Sequence, residues 1–442
     1  PMTTQGLNPL AGAKARVVSR DETAAYEIDG IRPSFVAHPS DTEQLSEVVS
    51  LAARAGLSVT PWGGGTHINM GNPPESLDVV VDLTGLNKVI DYPAADLTAT
   101  VQAGVTFTEL QKTLLDKGQW LAIDPPLPDL ATVGGVLATG LSGPTKWQYW
   151  APRDVVIGMK IVQPDGVVTK SGGQVVKNVS GYDMSRIHIG GLGTLGIIAE
   201  VSLKLTPLPR QQVTLVASYD SAEACIRAAL DVFHSNIVPL AITAFNKVAA
   251  RRIFDLNIGS YTLAVRLGSR PKTLDRQRRE MLSALESAGS GTIEALEGDD
   301  AARLWRSLAD FAWDEATRPL LGVRATVTPS ACAELVQKFE LLTAPDGTEP
   351  AVVSHPAHGT VLACWYPDGE LSDSAIANLA SAARNIVEHA GGRLVVEHAP
   401  VGTKNLVDVW GEPAGPIDLL RRFKERYDPH RLLNPGRFVG GI

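Results

Sequence analysis

Residues 177–200 read KNVSGYDMSRIHIGGLGTLGIIAE, and the reading of their glycines decides the fold. Gly191, Gly193 and Gly196 have the G-x-G-x-x-G spacing of a dinucleotide-binding turn. Such a turn needs a strand before it and a helix opening within it, so that the helix N-terminus meets the pyrophosphate. Here the glycines run into IIAEVSLKL, where Ile198, Val201, Leu203 and Leu205 and the β-branched content read as a strand. They do not open a helix, so an NAD-type Rossmann unit is not expected.

Two more glycine-rich stretches lie upstream. The first is Pro61-Trp62-Gly63-Gly64-Gly65-Thr66-His67, directly after the short strand candidate Ser58–Thr60. Successive glycines let backbone approach a ligand closely, and their N–H groups form an anion-binding concavity suited to a pyrophosphate. A plain flexible loop is the alternative. The second runs from Asp129 to Pro144 and places Gly134, Gly135, Gly140 and Gly143 among small residues. A turn and short helix with little side-chain bulk would let a flat ligand lie on backbone, unless it serves a tight helix crossing.

Around these stretches the chain alternates strands and helices. Ser40 and Glu43 suggest a capping box ahead of a helix carrying Leu45, Val48, Val49 and Ala52. Thr106 and Glu109 suggest a second. Residues 78–83 and 98–102 are strand candidates, and 154–170 reads as a hairpin turning at Asp165-Gly166. Pro207 and Pro209 mark a domain boundary. Beyond it, strand and helix candidates alternate twice over in the rhythm of an α+β unit, with helices on one face of an antiparallel sheet. The first thirty residues are polar and weakly patterned.

Composition narrows the class. The 442 residues suggest two or three domains. A net charge of −8 disfavours nucleic acid and anionic membrane surfaces. The three cysteines, Cys225, Cys332 and Cys364, are far apart, so a zinc or iron–sulfur site held by this chain alone is not expected. No apolar run is long enough to span a bilayer and no signal pattern precedes the fold. The expectation is a cytoplasmic protein, with peripheral attachment to the inner face of a membrane through a partner left open.

The order of motifs is itself informative: PWGGGTH, LATVGGVLATGLSG, APRDVVIGMKIVQPDG, KNVSGYDMSRIHIGGLGTLGII and a terminal NPGRF. Together they resemble the FAD-binding PCMH-type domain of the vanillyl-alcohol oxidase / p-cresol methylhydroxylase superfamily. Within it the chain is most similar to the glycolate oxidase E subunits, chiefly over residues 181–209. The resemblance covers about residues 32–210 and the tail and weakens over the cap. It implies an α+β fold: a two-subdomain FAD-binding domain (32–210) after an N-terminal extension (1–31), and an α+β cap with antiparallel sheet and flanking helices (211–427). A C-terminal segment (428–442) returns to the FAD domain.

It further implies which residues hold the flavin. Trp62, Gly63, Gly64, Gly65, Thr66 and His67 would take the pyrophosphate. Thr132, Gly135, Thr139, Gly140 and Gly143 would line the rings. Tyr182, Gly193, Thr194, Gly196 and Ile198 would meet them from the other side, and Asn434 would close the site from the tail. In part of the superfamily FAD is attached covalently through His or Cys. Here Thr66 stands where the attaching histidine would align, so FAD is expected to be noncovalent.

A flavin substrate of the 2-hydroxy-acid class needs a cation for its carboxylate and a base for its hydroxyl. Arg324 is the candidate cation, with a surface strand arginine as the plain alternative, and His398 is the candidate base. The relatives often carry a metal cluster on an H-x-G-D-G-N-x-H run. His355 and His358 retain only part of that pattern, and no metal is expected. Three functions stay open: an FAD-dependent glycolate or D-lactate dehydrogenase, a non-catalytic FAD-bearing companion subunit, or a flavin oxidase of another alcohol or sugar. The resemblance implies a hetero-oligomer with a second FAD subunit and an iron–sulfur subunit.

Overall fold

A computed structural model describes residues 9–19, 22–149, 151–173, 183–254, 259–413, 415 and 417–442. The first unit holds a four-stranded sheet. Arg16–Ser19 runs antiparallel to Phe35–His38, which pairs in parallel with Val79–Asp82, itself parallel to Val59–Trp62. The Arg16–Ser19 strand lies in the segment whose polar sequence concealed it. Its neighbours carry the pattern instead, because only its third residue is buried.

The helix Thr42–Arg54 buries Leu45, Val48, Val49 and Ala52 against this sheet. Burial of Leu45, Val48 and Val49 contributes roughly 1.5–3 kcal/mol each on leaving water. Its N-cap is Asp41, whose carboxylate accepts from Gln44 N at 2.8 Å, and not Ser40. The carboxylate sits one residue further along, where it reaches a free amide of the first turn and favours the positive helix end. The Thr106–Glu109 capping box forms as read.

The second unit is an antiparallel sheet ordered Val89–Asp91, Thr98–Gln102, Ile197–Lys204, Val156–Val162, Val168–Gly172. The strand that follows the third glycine cluster is therefore central to it. This geometry excludes a helix at those glycines.

The remainder is an eight-stranded antiparallel sheet running from Ile293–Leu296 at one edge to Arg393–His398 at the other. The helices Ala222–Phe233, Pro271–Ser287, Cys332–Glu340 and Asp373–His389 cover one face, joining Leu215, Leu263, Leu285, Phe339 and Val387 in one core. The other face is not bare, as helices on one side alone would leave it. Lys247–Phe254 and Gly298–Ala309 pack there, and Phe245, Trp305, Trp313 and Leu362 meet Met70, Leu141 and Leu192 of the flavin-side units. That contact closes the functional region between cap and glycine clusters.

The tail ties the units together. Lys424, almost fully buried, donates to Thr194 O at 2.7 Å and Leu433 O at 2.9 Å, and pairs with Asp428 at 2.8 Å. Leu432 O accepts from Val59 N at 2.7 Å, so the tail runs beside the strand that feeds the first glycine cluster. Among the described residues, no helix is long and apolar enough to cross a membrane.

Candidate flavin cleft and an adjoining charged chamber

The three glycine stretches meet. Strand Val59–Trp62 delivers Gly63 and Gly64 onto the second stretch: a Cβ on Gly63 would stand 2.3 Å from Thr132 Oγ1, and one on Gly64 only 1.8 Å from Leu130 O. Gly193 of the third stretch abuts Pro61, with 2.6 Å from a would-be Cβ to Cγ. Side chains at these positions would force the layers apart. Thr132 caps the short helix Val133–Thr139 by accepting from Gly135 N at 3.2 Å.

Between them lies a cleft of about 760 Å³, counting its open mouth. Its walls include Trp62, Gly63, Gly64, Gly65, Thr66 and His67 from the first stretch. Thr132, Gly135 and Thr139 come from the second, and Gly193, Gly196 and Ile198 from the third. Asn434 joins from the tail, where its amide donates to Leu192 O at 2.7 Å. Four residues implied by resemblance lie elsewhere or are not described. Gly140 and Gly143 line the neighbouring chamber. Thr194 sits buried behind the cleft wall, donating to Gly191 O at 2.7 Å. Tyr182 falls outside the described residues.

The cleft carries unmet polar groups. Arg437 is 2 % exposed and lines it. Its Nη2 donates to Ile68 O and Met70 O, but Nε and Nη1 find no partner among the described residues. Burial pulls its pKa down to about 10. A buried guanidinium with two unpaired nitrogens is costly unless an acceptor or anion meets it. His67 Nε2 is likewise buried and unpaired, while its Nδ1 shares a 2.7 Å hydrogen bond with Thr66 Oγ1. Backbone-lined walls and a buried, partly unpaired guanidinium fit FAD. Sequence reasoning stopped at Asn434 and missed Arg437, although Asn434-Pro435-Gly436-Arg437 held the signal.

A second cavity, about 700 Å³ counted the same way, adjoins the cleft, and Met70 and Thr139 line both. Period-2 alternation places Arg324 and Thr326 from one strand, and Val395 and Glu397 from its neighbour, on this wall. Arg324 Nε bonds Glu397 Oε1, and Glu397 Oε2 is buried without a partner. Lys146, His355 and His358 complete the polar lining. Burial, then the neighbouring His358, keeps His355 neutral; burial, then Lys146, brings His358 down to about 4.

His398 does not share this chamber. It lines a separate cavity with Arg318 and Lys404, across Glu397, which borders both. Trp313 contacts both His398 and His67, at 4.1 Å between ring centroids in each case. Burial, followed by nearby cations, lowers both imidazoles to about 3. His355 and His358 stand 6.2 Å apart by ring centroids, and His355 Nδ1 is tied to Thr243 Oγ1 at 3.0 Å. Among the described residues no three His, Cys, Asp or Glu side chains gather as a metal site.

Comparison with known proteins agrees with this geometry. Residues 33–172 match the FAD binding domain and residues 208–438 the C-terminal domain of FAD linked oxidases. The chain is 26 % identical over 443 residues to glycolate oxidase subunit GlcD of Bacillus subtilis, covering 95 % of this chain and 91 % of that protein. It is 28 % identical over 448 residues to D-lactate dehydrogenase of Anaerostipes hadrus, covering 95 % and 92 %. Among solved structures, p-cresol methylhydroxylase with substrate bound superposes with a TM-score of 0.77 at 16 % identity, over 95 % of this chain and 93 % of that one, which shows the shared fold.

Proposed function

The chain belongs to the FAD-linked oxidases, and from that premise we propose that it oxidises a small 2-hydroxy acid, glycolate or D-lactate, to the 2-oxo acid. Bound FAD supplies the hydride acceptor. The observation that carries the reading is the shared wall of Met70 and Thr139 between the glycine-lined cleft and the cation-bearing chamber. A donor carbon held in the chamber would lie beside the cleft.

The chain's own residues supply binding and proton transfer. Arg324 bonds Glu397 through Nε, which leaves its two terminal nitrogens for hydrogen bonds to a carboxylate. The hydroxyl proton needs an acceptor within hydrogen-bond reach. His398 faces the other cavity, so we assign this role to Glu397 Oε2, which is buried, unpartnered and on the chamber wall. The proton passes to that oxygen as the carbinol C–H leaves as hydride.

A second reading, an FAD-bearing companion subunit working with a catalytic partner and an iron–sulfur subunit, draws support from the incomplete histidine cluster at 355–358. Anaerobic titration of the purified holoprotein with glycolate and D-lactate separates the two. Bleaching of the flavin band is expected. Bound FAD that no 2-hydroxy acid reduces would sink the first reading and favour the second.

A further inference from the structure

We propose that Lys146 is the carboxylate anchor of the chamber and restricts it to substrates bearing one carboxylate. The inference rests on the 2-hydroxy-acid reading above and follows from a count of charges. Arg324 and Glu397 form an ion pair in which the Glu397 side chain is 1 % exposed, so together they contribute no net charge. His355 and His358 are neutral at physiological pH. Lys146 remains. It is half-buried, and no carboxylate lies within ion-pair distance of it among the described residues. Desolvation, then Arg324 and Arg153, disfavours its charge against the weaker opposing pull of Asp154, so an anion entering the chamber relieves that penalty.

Lys146 is also held in place. Thr145, the residue before it, donates N and Oγ1 to Asp124 at 3.0 and 2.5 Å. Gly143 is pinned against the same residue: a Cβ there would meet Asp124 O at 2.5 Å. On the other side the His358 ring lies beside the Lys146 backbone. The ammonium therefore projects from a fixed backbone rather than from a loose loop. One fixed net charge matches one carboxylate. A second carboxylate would find no unbalanced positive charge, because Arg324 is already paired with Glu397, and would keep most of its desolvation cost in this half-buried site.

The test uses the FAD-loaded protein and two readouts. The first is binding of 2-hydroxyisobutyrate, which has no hydrogen on its carbinol carbon and cannot be oxidised, followed by perturbation of the flavin spectrum. The second is flavin reduction by glycolate, D-lactate and D-2-hydroxyglutarate. Lys146→Met is expected to weaken 2-hydroxyisobutyrate roughly ten- to a hundredfold with FAD content unchanged, and Lys146→Arg to restore most of it. The native protein is expected to reduce at least about tenfold less efficiently with D-2-hydroxyglutarate than with D-lactate. Unchanged binding in Lys146→Met, loss of FAD from that variant, no binding of the inert acid to the native protein, or equal use of the dicarboxylate each overturns the proposal. If the inert acid binds through Lys146 while no 2-hydroxy acid bleaches the flavin, the anchor stands and the oxidation reading fails.

Discussion

Gly193 stands against Pro61, and this contact joins the third glycine cluster to the first. A methyl group on Gly193 would come within 2.6 Å of Pro61 Cγ, and its φ of +72° is one that other residues rarely adopt. Both features act on the same wall of the cleft.

Gly193→Ala is therefore expected to open the cleft and weaken FAD binding by at least about tenfold, through overpacking and left-handed strain of roughly 1–3 kcal/mol. The ratio of flavin to protein absorbance after gel filtration reads this directly. A variant as yellow as the native protein would contradict the packing argument.

Lys424 is the tail's buried clasp. Lys424→Met leaves Asp428 without its cation and the Thr194 and Leu433 carbonyls without their donor. Breaking such a pair costs about 3–5 kcal/mol. Thermal unfolding should move down by several degrees, and FAD should protect less, because the tail also brings Asn434 and Arg437 to the cleft.

Asp124 gives a pH signature. Burial raises its carboxyl to about 6, against the lowering effect of its Thr145 hydrogen bonds. The folded protein then binds this proton more tightly than the unfolded chain. Its contribution to stability is present below about pH 4 and is lost as pH rises to about pH 6. In Asp124→Asn this component should vanish. Urea midpoints of native and variant protein across that window should converge at the acid end and separate, in favour of the variant, toward neutral pH.

Glu397→Gln keeps a hydrogen-bonding group beside Arg324 but cannot take a proton. Flavin reduction by the favoured hydroxy acid should slow by about 10²–10⁴-fold while FAD content holds, as measured by anaerobic stopped-flow absorbance. A rate within a fewfold of native would move the proton acceptor elsewhere, with His398→Gln the next variant to measure.

Noncovalent FAD is expected to appear as yellow supernatant after acid precipitation. Cys225, Cys332 and Cys364 are buried and do not line the cleft, and His67 is engaged with Thr66 and Trp313. Flavin fluorescence that travels with the denatured chain would reverse this expectation.

Much of the architecture was legible because it depends on local pattern. A strand after Gly196 rather than a helix, the Thr106 cap, and the glycine-rich stretches at 63–65, 134–143 and 191–196 follow from side-chain period and backbone freedom. What stayed hidden were elements whose pattern is weak alone. Arg16–Ser19 has one buried residue, and Lys247–Phe254 and Gly298–Ala309 pack on the sheet face that the sequence left bare.

The chemistry of the charged chamber is a different matter. The resemblance carried by the order of the glycine motifs already implied the flavin, and the glycines themselves marked where backbone approaches closely. Nothing in residues 140–150 marks Lys146 as special, and the Glu397-His398 pair reads the same whichever side chain faces the flavin. The stacking of the cap sheet on the glycine clusters decided it. That stacking turns Arg324 and Glu397 to one wall, sends His398 to the other, and brings Lys146 across from a distant part of the chain. Charge balance in a buried site is set by which groups become neighbours, and neighbours so far apart in sequence are chosen only when the layers pack.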